Sequence, residues 1–388
     1  MEHKSWRLAS SPSLGFVSTY PPTICGLAKF SHSLVSAIRK SRGENDSTRI
    51  VRVVNELDGF KEVGRDVVSI MDPSYATSIL DSVEALNNLD IAIIQHEFGI
   101  FGPNDGDAVL TILENINIPT IIVLHTVPAC PTEQQRKILQ GILKLGGKIV
   151  VLSKAAHAGL EKNYQINKNK VHIIPHGAHV YNGNEKRINK RPSILTWGLI
   201  SSSKGIEWGI RALPHLCSIK PTPLYSVWGQ THPNVYAREG EQYRNYLASL
   251  SKELNVEDML DMHGEYLDED SLRTIVENAD VVLLPYESNE QVTSGVLIEA
   301  VAAGKPVVAT RFPHAIELLS DGAGLLVPHK DLLAMASALY QLLMDTNARQ
   351  SAQQQAQRVA ATLDWSVVAG QYEKLILDVL GSTASAVA

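Results

Sequence analysis

Short apolar runs rich in β-branched residues alternate along this chain with longer segments whose apolar positions recur at helical spacing. Strand-like runs fall at 14–19, 49–54, 91–95, 119–124, 148–152 and 171–174, with helical spacing at 27–38, 107–113 and 133–145. Alternation of this kind over about 175 residues predicts a doubly wound parallel sheet. Residues 181–192 are then polar, poor in apolar side chains and closed by Pro192, as an interdomain linker would be. The alternation restarts with strands at 194–197, 224–228, 259–263, 281–284 and 306–309 and helices from Ser203, Tyr236 and Glu269. The tail, 346–380, is rich in Gln, Ala and Leu at helical spacing. The expected fold class is therefore α/β, with two Rossmann-like doubly wound parallel-sheet domains facing a central cleft. Their expected boundaries are 1–180, a linker at 181–192, 193–362, and a closing C-terminal helix at 363–388.

The segment 281–310, VVLLPYESNEQVTSGVLIEAVAAGKPVVAT, is the most informative. Its helix is expected to begin near Thr293-Ser294-Gly295, which turns free N–H groups toward the carboxyl end of the preceding strand. Small residues at such a helix N-terminus favour an anion such as a phosphate. Glu299, one turn beyond Gly295, can reach a sugar hydroxyl. The pattern suggests a phosphorylated, polyhydroxylated ligand.

Composition narrows the classes. A length of 388 residues suits two cores, and a net charge of −6 argues against broad nucleic-acid binding. Cys25, Cys130 and Cys217 are far apart and lack metal-ligand spacing, which points to a reducing compartment. The first residues, MEHKSWRLASSPS, have no apolar core of a signal peptide, and no apolar run reaches membrane-spanning length. A soluble, cytoplasmic protein is expected.

Several loops carry candidate chemistry at strand ends. After the first strand, Gly26 precedes a helix and can admit a ligand to backbone N–H groups, or simply serve a turn. No G-x-G-x-x-G pattern follows that strand, which removes the main support for a dehydrogenase. His96 and Glu97 follow one strand and His125 follows the next. A rim histidine there can contact a sugar hydroxyl or phosphate, or cap a loop. Asp105-Gly106-Asp107 spells D-x-D, but at a helix start, where acidic residues serve the dipole; no metal site is expected. In the second half, Lys204-Gly205 brings an ammonium to a loop–helix junction, a phosphate-binding arrangement. His232 and the stretch 263–266 are further candidates for shaping a nucleotide site. Gly147-Lys148 and Gly304-Lys305 lack the flanking residues of a P-loop. Lys29, Arg39, Lys40 and Arg42 on the first helix can touch an anionic surface or complement the helix dipole.

Taken in order, Gly26–Phe30 as G-x-A-x-F, the strand-end His125, the IPHG of 174–177, Ser-Lys-Gly at 203–205 and SGVLIEAVAAGKPVVAT resemble the retaining glycosyltransferases of family 4. The resemblance covers nearly the whole chain. It implies the GT-B fold, with the acceptor on the N-terminal side and the donor on the C-terminal side. It also implies transfer of a hexose from a nucleotide diphosphate sugar, GDP-mannose or UDP-glucose in type, to an acceptor hydroxyl with retention. No cofactor and no essential metal are implied. The acceptor would be a glycan, a lipid-linked intermediate or a small molecule, with membrane contact at most peripheral. Lys204, His125 and Gln291 would be catalytic. Gly26, Ser294, Gly295, Val296, Leu297, Glu299 and Arg311 would bind the donor, and His96 and Glu97 would contact acceptor or sugar. Two positions depart from the family pattern. Its first glutamate is Gln291 here, and its arginine after the glycine is Leu199, leaving Arg311 as a substitute cation. A glycoside phosphorylase, a sugar-nucleotide epimerase and a non-catalytic sugar-nucleotide or glycan binder are the competing readings.

Overall fold

A computed structural model describes residues 11–54, 64–180, 191–265 and 267–387. The expected linker falls mostly outside the described residues, which resume at Arg191.

The chain divides into two compact units, Met1–Gly177 with Trp365–Ala388, and Ala178–Asp364. The first contains seven parallel strands: β1 (Leu14–Ser18), β2 (Thr48–Val53), β3 (Val67–Met71), β4 (Ile91–His96), β5 (Thr120–Leu124), β6 (Lys148–Val151) and β7 (Val171–Ile173). Their order is β3-β2-β1-β4-β5-β6-β7. The second contains six: β8 (Ser193–Trp197), β9 (Leu224–Trp228), β10 (Leu260–His263), β11 (Val281–Leu284), β12 (Val307–Thr310) and β13 (Gly324–Val327), ordered β10-β9-β8-β11-β12-β13. Every pairing is parallel. Central strands such as β1, β4, β5 and β11 are buried at every position, because helices cover both sheet faces. That burial selects the continuous Val/Ile/Leu runs seen in the sequence. The sequence reading missed β3 and β13, one edge strand of each sheet.

The shared strand order has a direct consequence. In each sheet the winding reverses once, between β1 and β4 and between β8 and β11. Loops at the carboxyl ends diverge there, which opens a crevice for ligands.

The core of the first unit is completed from the far end of the chain. Helix Trp365–Val387 contributes Trp365, Val368, Tyr372 and Ile376 to a cluster with Phe16, Phe30, Leu34 and Ile93. Helix Gly26–Arg42 packs there too, and its basic last turn is engaged internally. Arg42 forms a two-pronged bond to Glu373 at 2.6 and 2.8 Å, and Arg39 pairs with Asp46 and Asp66 at 3.2 and 2.7 Å. Among the described residues no helix is long and apolar enough to cross a membrane.

Candidate functional site

In the second unit the loop after β8 turns sharply at Gly205, whose backbone is left-handed with φ of 59°. A side chain there would overlap the Pro285 carbonyl, so glycine lets the β8 loop close onto the β11 loop. The amide of Glu287 completes the junction by donating to Ser203 O at 3.0 Å. Lys204 is the residue held by this turn. Its Nζ lies 4.1 Å from the centroid of the Tyr286 ring, and it forms no ion pair among the described residues. Tyr286 is 1% exposed and stacks on Phe312 at 5.2 Å, an aromatic shelf beneath the ammonium. A ring face holds a cation without neutralising it. The charge therefore stays available to an incoming anion.

Glu287 sets the same junction from its side chain. It accepts from Trp208 Nε1 at 2.6 Å and pairs with Lys330 at 3.2 Å, and these contacts, the Trp208 bond first, hold its carboxyl below the ordinary range. Sequence reasoning missed Tyr286 and Glu287, because Lys204 and Trp208, their partners on the β8 side, lie about eighty residues away and only the β8–β11 pairing brings them together.

On the β11 side, helix Gly295–Ala302 begins where expected, with Ser294 as its cap. The four amides singled out there are not equivalent. Leu297 N–H donates to Ser294 Oγ at 3.3 Å, and Ser294 N–H donates to the buried His314 Nδ1 at 2.9 Å. Gly295 and Val296 keep amides with no hydrogen-bond partner among the described residues, as the first residues of a helix must unless capped. Among the described residues these two N–H groups and the Lys204 ammonium are unpaired donors at the ends of β11 and β8. Val296 also packs on Gly198, where a Cβ would meet its methyl at 3.4 Å. Glu299 accepts from Trp197 Nε1 at 3.1 Å, so the end of β8 already orients this carboxylate. Gln291 donates from Nε2 to Thr293 O at 3.1 Å. Arg311 is exposed at the end of β12. The strand it follows lies two places from β8, whose loop contains Leu199. At the ends of β9 and β10 the Trp228 and His263 rings stack 3.5 Å apart and nearly parallel, beside Gly229. His232 ties the β9 loop to Ile200 O through its backbone at 2.9 Å, and Tyr266 lies outside the described residues.

The first unit brings His96, Glu97 and His125 together at the ends of β4 and β5. His125 Nε2 lies 2.8 Å from Gln95 Oε1. As the amide is oriented, the ring donates there and leaves Nδ1 as an acceptor. Burial pushes this imidazole down to about 3, with the His176 and His96 rings adding to the effect. His96 is fully buried between Phe98 and Phe101, with both ring nitrogens unpartnered, and burial alone takes it to about 3. Glu97 accepts from Thr126 Oγ1 at 2.6 Å and from its neighbour Phe98 N at 3.0 Å, yet burial still raises its carboxyl. Gly26 is the first residue of its helix, and a Cβ there would meet nothing within 4 Å. No turn or packing requirement explains glycine at that position. Asp105 accepts from Thr132, the cap of helix Glu133–Leu145, at 3.3 Å. Among the described residues no group of three or more His, Cys, Asp or Glu is arranged to hold a metal ion.

A parallel sheet with two unpaired amides at a helix start, an ammonium free of ion pairs and an oriented carboxylate at its switch point is what residues 191–345 contribute, and those residues match the family described as glycosyl transferases group 1. The chain also has relatives among curated proteins. One is a D-inositol 3-phosphate glycosyltransferase of Corynebacterium urealyticum, 28% identical over 258 residues, 63% of this chain and 59% of the relative. Another is a phosphatidyl-myo-inositol mannosyltransferase of Mycolicibacterium smegmatis, 35% identical over 180 residues, 46% of this chain and 43% of the relative. The matches thus span about half the length of these relatives. Among solved structures, sucrose-phosphate synthase from Thermosynechococcus elongatus superposes with a TM-score of 0.74 at 18% identity, covering 95% of this chain and 100% of the other. Anabaena HepE in complex with UDP-glucose gives 0.72 at 16% identity, with 95% and 99% covered. At such identities the likeness is one of fold, and the fold is GT-B.

Proposed function

We propose that the protein is a hexosyltransferase that binds a nucleotide diphosphate sugar on its group 1 domain and transfers the sugar to an acceptor hydroxyl with retention. The observation that carries this reading is the unneutralised Lys204 ammonium on the β8 side of the switch point, with the free Gly295 and Val296 amides on the β11 side. As the glycosidic bond breaks, the leaving diphosphate gains negative charge. Preorganised donors aimed at that charge, in a site poor in water, are worth roughly 3–4 kcal/mol each. Lys204 and the two amides take this role, so charge neutralisation needs no essential metal. Glu299, held by Trp197, contacts the nucleotide ribose, and Gln291 contacts the sugar as a neutral hydrogen-bonding group. In the first unit, His125 is neutral at physiological pH and offers Nδ1 to a sugar hydroxyl, while Glu97 serves the acceptor side. Relatives named for inositol phosphate and phosphatidylinositol acceptors, and a neighbour holding UDP-glucose, support a nucleotide-sugar donor and a polyol acceptor. The three unpaired cysteines support a reducing, cytoplasmic setting.

A thermal-shift screen of UDP, GDP, ADP and their sugar conjugates, with and without Mg²⁺, tests the donor assignment. A ligand at one hundred times its dissociation constant adds about 2.7 kcal/mol of stability. Stabilisation by one diphosphate without metal is the expected result. No shift with any nucleotide would refute the reading and turn attention to a phosphorylase or glycan binder.

A further inference from the structure

Arg52, at the carboxyl end of β2, is fully buried. Its Nε donates to Tyr20 O at 3.2 Å and one Nη to Thr23 Oγ1 at 2.8 Å, while Nη1 has no partner. It forms no ion pair among the described residues. The carboxylates of Asp46 and Asp66 are engaged by Arg39. Buried lysines and carboxylic acids escape such isolation by neutralising, but a guanidinium stays charged at any pH a protein survives. An arginine is therefore almost never fully buried without an anion. The loop that Arg52 holds leads into helix Gly26–Arg42, whose first turn contains no acidic residue. That helix start is capped only by the sulfur of Cys25 at 3.3 Å, a weak acceptor. Among the described residues, two positive features without an acidic partner thus meet at the loop 20–25, on the ligand side of the sheet. The loop is partly open to solvent, with Thr23 half-buried and Ile24 exposed.

We propose that Arg52 and Thr23 form an anion-binding site that takes the phosphate or carboxylate group of the acceptor. The acceptor part of this statement rests on the transfer reading above. The anion site itself does not. Tyr20 O also accepts from Thr23 N at 3.1 Å, so removing the guanidinium leaves that carbonyl satisfied. Losing Arg52 then leaves only Thr23 Oγ1 without its partner, a hydroxyl that is half-buried and within reach of solvent.

The test is thermal melting of the full chain, with a saturating nucleotide diphosphate to occupy the donor site and inorganic phosphate added against chloride at equal ionic strength. Wild type should be stabilised by phosphate beyond the chloride control. Arg52→Met should lose tenfold or more in phosphate affinity, yet melt at or above wild type when no anion is present. Arg52→Lys should keep part of the response, and Thr23→Val should weaken it even if Arg52→Met folds poorly. Vesicles of anionic phospholipid replace phosphate in a parallel arm. A response there as well assigns the anion to a lipid headgroup, and a response to phosphate alone assigns it to a soluble acceptor. Equal phosphate responses in wild type and Arg52→Met would overturn the inference, as would a wild type indifferent to phosphate. Melts with nucleotide alone separate the two readings. If no nucleotide stabilises the protein, the transfer reading fails while the phosphate comparison, run without it, still judges Arg52.

Discussion

Replacing His96 with leucine should blunt the acid sensitivity of the N-terminal unit. His96 is fully buried and neutral, with both ring nitrogens unpartnered and its pKa pushed down to about 3 by burial. In the unfolded chain the same ring titrates near 6.5. Between those values the unfolded state binds a proton that the native state refuses, so stability falls as pH falls below about 6.5. At pH 5 the effect is about 2 kcal/mol for one such histidine. His125, also at about 3, adds a similar amount between pH 8 and pH 5, while the raised Glu97 carboxyl, which the native state protonates first, offsets part of the loss. The groups facing the pair are His176 and Glu97, and the raised Glu97 carboxyl is a further sign of the low local polarity. His96→Leu should remove about 2 kcal/mol of the loss. At pH 8 it should stay as stable as wild type or gain, because removing unpaired buried polar atoms recovers about 1–3 kcal/mol. Urea unfolding followed by circular dichroism at both pH values checks this, and only the transition of the N-terminal unit should move. The same pH dependence in variant and wild type would refute the reasoning, as would a His96 imidazole titrating near neutrality by NMR.

Three further outcomes are expected at the candidate site. Lys204→Ala should cut turnover by on the order of 10²–10³-fold, the cost of losing one preorganised donor, with little change in melting temperature; near-normal kcat would remove the lysine from the mechanism. Gly26→Ala should leave the fold untouched, since its Cβ meets open space, but raise the KM of a substrate by about tenfold if a ligand approaches that backbone. Gln291→Glu should lower kcat several-fold, because a carboxylate cannot donate to Thr293 O and the lost bond is worth about 1 kcal/mol; a rise in kcat would show that charge at this position serves the sugar.

The interior of both sheets was legible because burial on two faces forces long apolar runs. The outer strands were less so. Val67–Met71 and Gly324–Val327 are mostly half-exposed, so no buried run marks them, although the other edge strands β7 and β10 were found. At the site, Lys204, Gly205, Ser294 and Glu299 announced themselves by standing just past a strand or at a helix start. Their supports did not. The Tyr286 shelf, the Glu287 clamp and the His314–Ser294 bond depend on which strands are neighbours, and strand order is not written in local periodicity. The narrowing of the helix start from four amides to two likewise required seeing His314 buried beside Ser294.

The route of the backbone also sets a timetable for synthesis. The second unit is an insertion in the first, bounded by Gly177/Ala178 and Asp364/Trp365. A ribosome adding about 5–20 residues per second therefore finishes the inserted unit while the first still lacks Trp365, Tyr372 and Ile376. For that interval the nascent sheet presents bare apolar surface to the cell. A chain stopped at Asp364 should deliver a folded second unit attached to a first one that chaperones hold and proteases cut, whereas residues 178–364 expressed alone should fold.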